Sequence, residues 1–198
     1  MLDNLATVIP FVLITTFTPG PNNISSASMG VLHGYKETLN YLLGIVCGFF
    51  LVMLGAGLVS TTLLTLFPAF ENVLRFVGAA YILYLAYSIL KATYTFDEQK
   101  VKPLGFSNGF TLQLVNPKGL IYGLTLFSAF LASITSNFAL VILAAAIITF
   151  ISFCSISTWT LFGTIIRTYL HQPRVKMTVN VILALLLVYT AVDLAGFI

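Results

Sequence analysis

Charge is what this chain has least of. Only 8% of its 198 residues are Asp, Glu, Lys or Arg, and 59% are hydrophobic. An ordinary soluble domain carries about 25% charged residues, and a soluble fold of this length could not cover so much apolar surface. An integral membrane protein is therefore expected. The net charge of +3 is too small to suggest a nucleic-acid partner. Acidic residues are scarcer still, and none lies at the centre of an apolar run, Glu71 and Asp193 being near the ends. A proton relay of membrane carboxylates is thus unsupported, and so is a divalent-cation permease, which needs hard oxygen or imidazole ligands in its spans. The two cysteines, Cys47 and Cys154, sit in apolar runs without motif spacing. They read as small buried hydrophobes, not as a disulfide, metal or redox pair. His33 and His171 are expected in solvated loops, which leaves no nucleophile–base pair or metal cluster for an intramembrane enzyme. No cofactor is expected.

What is present is a series of long apolar runs. About 20 apolar residues cross a bilayer core. Six segments qualify: Leu5–Leu32, Leu39–Leu66, Ala69–Thr93, Phe106–Ser133, Phe138–Arg167 and Met177–Ile198. The first lacks the basic leader of a signal peptide and is read as retained. The longest polar gap, Tyr94–Gly105, divides the chain into two halves of three spans. The expectation is one all-α, polytopic transmembrane domain over residues 1–198, with repeats at 1–93 and 106–198 joined by a loop at 94–105. A half with an odd number of spans enters the membrane from the side opposite to its twin, so the two repeats are inverted.

The first and fourth spans are expected to be broken. Thr18-Pro19-Gly20-Pro21-Asn22-Asn23 interrupts one and Asn116-Pro117-Lys118-Gly119 the other, with Pro19 and Pro117 lying 98 positions apart. Proline removes a backbone donor and clashes with the preceding turn, and glycine adds freedom. Broken backbone at membrane depth survives only against protein or a water-lined cavity. Paired breaks in inverted halves point to a transporter binding site near the midplane. Thr-Pro and Asn-Pro are helix-start dipeptides. The second half-helix is expected to run from Asn116-Pro117 to about Ser133, and the first, from either end of the motif, to Leu32. Helix starts favour anions, so the expected ligand carries a carboxylate, with Asn22, Asn23 and Asn116 able to hold a zwitterion's polar atoms. Lys118 is the one basic residue deep within a span. Its charge is costly there and marks a functional position, unless its stem snorkels to an interface. The candidate substrate-binding set is Thr18, Pro19, Gly20, Pro21, Asn22, Asn23, Asn116, Pro117 and Lys118.

Orientation follows from the basic residues. Lys36, Lys91, Lys100, Lys102, Arg167, Arg174 and Lys176 flank the odd-numbered loops, against Arg75 on the other side. The odd loops are expected in the cytoplasm and both termini outside. Gly44, Gly48 and Gly55 share a face of the second span expected to pack closely on another helix, either in the same chain or in a second protomer of a homodimer. Tyr81, Tyr84 and Tyr87 step along the third span as interface anchors, with Tyr81 within reach of a central cavity.

With these residues in view, the chain resembles the LysE/RhtB-type family of bacterial amino-acid exporters. Thr18-Pro19-Gly20-Pro21-Asn22, Gly78-Ala79-Ala80-Tyr81 and Asn116-Pro117-Lys118 carry the resemblance, and size and six-span plan match throughout. Asn23, His33-Gly34 and the closing Leu183-Ala184-Leu185-Leu186-Leu187-Val188-Tyr189 are similar to its cysteine/O-acetylserine exporter subgroup. The resemblance implies efflux of small neutral or basic amino acids across the inner membrane, with membrane lipid as surroundings. From the residues alone, a permease for another small solute or ion, or a non-transporting scaffold, remains an alternative reading.

Overall fold

The computed structural model describes residues 2–66, 76, 79–80, 83–84, 86–87, 90, 103–166 and 173–194, and every described element is helical. Helix α1 runs Leu2–Phe17, and α2 runs Pro21–Leu66. The fourth expected span divides into α3, Phe106–Leu114, and α4, Pro117–Thr125. A π-helical turn at Leu126–Phe130 and a 3-10 turn at Ala132–Ile134 follow. Helices α5, Phe138–Ile166, and α6, Pro173–Leu194, complete the chain. Both expected breaks are present. The second half-helix is regular only to Thr125, short of the expected Ser133. The third span is described at too few positions to trace; Gly78, Tyr81, His171 and most of the 94–105 loop lie outside the described residues.

No loop separates the first two expected spans. Helix α2 continues through them and breaks at Gly34 alone, with φ 78° and ψ 172°. Only glycine holds that conformation without strain, and no other atom would obstruct a side chain there. The bend is tied by side chains. Thr38 Oγ1 donates to the Gly34 carbonyl at 2.7 Å, and the hydroxyls of Ser25 and Tyr41 bond across the two limbs. His33 therefore belongs to a helix and is half-buried, not in a solvated loop.

Two seams of bare backbone hold the limbs of α2 in place. A Cβ on Gly44 would stand 2.0 Å from the Phe106 carbonyl oxygen, and one on Gly109 2.1 Å from that of Tyr41. The first limb meets α5 in the same reciprocal way: Gly30 faces the Thr160 carbonyl at 2.2 Å, and Gly163 that of Ala27 at 2.1 Å. Small residues let backbones approach where side chains would hold them apart. Gly48 joins the first seam against Gln113, so the expected close packing of this face is within the chain. Gly55 does not join it: a Cβ there would meet none of the described neighbours within 4 Å.

The main core gathers Val8 and Val12 of α1, Phe49 and Met53 of α2, Leu126 and Phe127, with Val141 and Ile148 of α5. A second cluster packs Ile24 against Ala79, Ala86, Ala184 and Leu187. The outside is as apolar as the inside. Ile14 and Phe150 are each 67% exposed, far beyond what a soluble monomer shows to water. Pro21–Val59 and Phe138–Ile166 are, among the described residues, long and apolar enough to cross a bilayer. Cys47 and Cys154 lie on this exterior and not in the core, contrary to expectation. Tyr84 and Tyr87 are exposed as well.

The seams predict an ordering of stabilities. Gly109→Val should lower the melting temperature in detergent by several degrees, since its side chain must displace backbone, whereas Gly55→Val should leave it within about a degree, a few tenths of a kcal/mol being typical away from such contacts. Equal melting of the two variants would show that the seam does not hold the bundle together.

Candidate functional site

The last carbonyls of α1 have no helical partner. Every helix end leaves such groups, and at membrane depth they cannot rely on bulk water. Side chains from three other elements meet them. Asn23 Nδ2 donates to Thr16 O at 2.9 Å and to Thr18 O at 3.0 Å. From α5, Ser155 Oγ donates to Thr16 O at 3.0 Å and Trp159 Nε1 to Phe17 O at 3.3 Å. From α4, Lys118 Nζ donates to Thr18 O at 3.0 Å and to Pro19 O at 3.2 Å. The ammonium thus points into the first break. There it meets the negative end of the α1 dipole, which offsets its unfavourable place at the start of its own helix. Its stem lies on bare backbone: a Cβ on Gly20 would be 2.9 Å from Lys118 Cδ.

The second break is closed in another way. Asn116 adopts an extended conformation, and its Oδ1 accepts from the N–H groups of Lys118 at 3.1 Å and Gly119 at 3.5 Å, with Pro117 at the first helical position. The start of α4 is therefore capped by its own chain. The start of α2 is not, because Gly20 has no side chain with which to cap it; the first bond of that helix is Ile24 N to Gly20 O. Of the two helix starts expected to face a ligand, the one at Pro21 has no side-chain cap among the described residues.

A line of buried amides joins the breaks. Asn116 Nδ2 donates to Asn22 Oδ1 at 2.9 Å, and Asn22 Nδ2 donates to Gln113 Oε1. Gln113 is fully buried and its Nε2 has no partner. The nitrogen lies where a Cβ on Gly119 would be, 2.6 Å away. Asn22 and Asn116, expected to hold ligand atoms, use these amide atoms to hold each other.

Between the breaks lies a small cavity of about 40 Å³, partly open to its surroundings. All of the expected residues line it except Pro19 and Pro117. Pro19 contributes its carbonyl, and Pro117 is buried at the helix start. The remaining wall comprises Thr15, Thr16, Phe49, Gly119, Tyr122 and Ser152. Phe49 and Phe11 pack on the Tyr122 ring, and Thr16 Oγ1 donates to its hydroxyl at 3.4 Å. Sequence reasoning missed Gln113, Ser155 and Trp159. For Gln113 there was a signal: it is the one uncharged amide in α3 apart from Asn108, three residues before Asn116. No carboxylate among the described residues lines the cavity, so a charged Lys118 leaves it suited to a ligand bringing its own anion.

A protein-family model described as "LysE type translocator" matches residues 13–196. The cysteine/O-acetylserine efflux protein of Salmonella choleraesuis (strain SC-B67) is 38% identical over 183 residues, covering 92% of each chain. The protein of the same name from Escherichia coli (strain K12) is 38% identical over 182 residues, again 92% of each. No solved structure matches this chain.

The amide line makes Asn116 the more expensive position to truncate. Asn116→Ala removes a helix cap and strips Asn22 Oδ1 of its donor, a combined loss of about 2–3 kcal/mol. Ser155→Ala should cost less than about 1.5 kcal/mol, because Thr16 O keeps Asn23 as a donor. Reversible unfolding in mixed micelles would measure both, and a larger loss for Ser155→Ala would contradict the assigned network.

Proposed function

Since this chain belongs to the LysE type translocator family, we propose that it exports small amino acids or close derivatives across the bacterial inner membrane. It is not an enzyme; its family and the matched relatives are translocators and efflux proteins. The full reading is a secondary transporter working by alternating access at a midplane site. Six spans in two inverted repeats, residues 1–93 and 106–198, are joined by a cytoplasmic segment at 94–105, with both termini outside. The correspondence of the two breaks and the asymmetry of basic residues support this plan.

The observation that carries the reading is the first break itself. Within Thr18–Asn23 the chain offers the carbonyls that end α1 and then the uncapped N–H groups that begin α2, beside the Lys118 ammonium. An α-amino acid carries its ammonium and carboxylate on one carbon. Carbonyls attract the former, and a helix start with a nearby cation attracts the latter. Thr18, Pro19, Gly20, Pro21, Asn22, Asn23 and Lys118 would then contact substrate or frame it. Asn116 and Pro117 would set the start of α4. The relatives' printed names favour cysteine and O-acetylserine, whose short polar side chains suit a wall containing Thr15, Ser152 and Tyr122.

Counterflow in proteoliposomes tests this. Preloaded L-cysteine or O-acetyl-L-serine should drive saturable uptake of the labelled compound, and Lys118→Met should reduce the rate at least tenfold while remaining folded. Absence of exchange for every amino acid in a panel, from folded protein with and without a pH gradient, would refute the assignment.

Topology has its own test. A cysteine at Gln99, in a background lacking the exposed Cys47 and Cys154, should resist an impermeant thiol reagent in intact cells and react after permeabilisation. Ready labelling of intact cells would invert the orientation.

A further inference from the structure

Lys118 and a substrate's ammonium group call for the same acceptors. The break ends α1 on a set of carbonyls, but these are not equally available. Thr16 O and Phe17 O are held by Asn23, Ser155 and Trp159, short or rigid side chains fixed to packed helices. Thr18 O accepts from Asn23 and also from Lys118, and Pro19 O accepts from Lys118; the lysine's contacts are made by a stem with four rotatable bonds, half-buried and lining the cavity. Where the stem crosses the first break it passes over Gly20, the residue with no side chain to impede it.

We propose that the Thr18 and Pro19 carbonyls are the ammonium half of the substrate site, and that Lys118 fills it when the site is empty. This deepens the transport reading and rests on it for the identity of the substrate. An arriving zwitterion places its ammonium on the two carbonyls. Lys118 swings off them and pairs with the incoming carboxylate, which also meets the uncapped start of α2. Each charge keeps a partner throughout: the lysine exchanges two carbonyl oxygens for a carboxylate, and the carbonyls exchange one ammonium for another. A carboxylate is the stronger partner for an ammonium ion, so the exchange is favourable only for a ligand carrying both charges. A simple amine would expel Lys118 and leave it without a counter-charge in a cavity whose described wall has no acidic residue. Selectivity for amino acids over amines then arises without a carboxylate in the wall, from competition inside the protein.

The test uses full-length protein in detergent, with binding of L-cysteine and of cysteamine, its decarboxylated form, measured on wild type and Lys118→Met. Wild type should bind L-cysteine at least tenfold more tightly than cysteamine. In Lys118→Met the lysine's place on the two carbonyls is vacated and the carboxylate's partner is gone, so the order should reverse, with cysteamine bound at least tenfold more tightly than by wild type. If Lys118→Met does not fold, Lys118→Gln, which keeps a neutral donor near the carbonyls, should show the same reversal in weaker form. Cysteamine binding that is absent or unimproved in the folded variant would overturn the exchange, even if L-cysteine is transported. Reversal in a protein that exchanges no amino acid would leave the cation site standing and remove the transport reading instead.

Discussion

A helix that stops in the middle of a membrane must have its backbone satisfied by something other than water. That constraint accounts for several of the polar side chains found inside this bundle. Asn23, Ser155, Trp159 and Lys118 converge on the end of α1, and Asn116 covers the start of α4. Their positions in sequence look scattered because they answer to one place in space. What the constraint leaves over is equally informative. The start of α2 lacks a side-chain cap among the described residues, and two carbonyls accept from the Lys118 ammonium. A site that binds its ligand through backbone cannot have all of that backbone permanently occupied.

The surrounding frame is built to keep those groups in register. Reciprocal glycine contacts fix α2 against α3 and α5 at backbone distance, leaving little play where the limbs of α2 diverge at Gly34. Side-chain ties cross that bend. Against this frame, the region after Thr125 is less regular. The helix following the second break passes into π-helical and 3-10 turns, and Phe130 stacks on Phe11 of α1 with ring centroids 4.7 Å apart. Departures from α-helical pairing of this kind recur at functional positions.

The sequence made the breaks legible because proline and glycine act locally: Pro19, Pro21 and Pro117 disrupt a helix whatever surrounds them. It also made Lys118 legible, since a charge inside an apolar run has to be accounted for. It could not rank the faces of helices that are apolar all round. Cys47 and Cys154 were expected inside and lie outside, and Gly55 was grouped with Gly44 although it packs on none of the described residues. Both errors share a cause, for in lipid hydrophobicity no longer distinguishes interior from exterior. The bend at Gly34 was hidden for a different reason: a loop and a single positive-φ glycine between two helices have the same composition. The amide line from Gln113 through Asn22 to Asn116 needed coordinates, since its members lie about 90 residues apart.

Hydrogen exchange of the protein in micelles, with and without L-cysteine, addresses the central claim that two sequence-distant breaks form one ligand site. Ligand should slow exchange in peptides covering 18–24, where the uncapped amides lie, and in those covering 113–120, with little change at the Gly44–Gly109 seam. Protection confined to one break, or spread over the helices while both breaks exchange as before, would contradict a shared site.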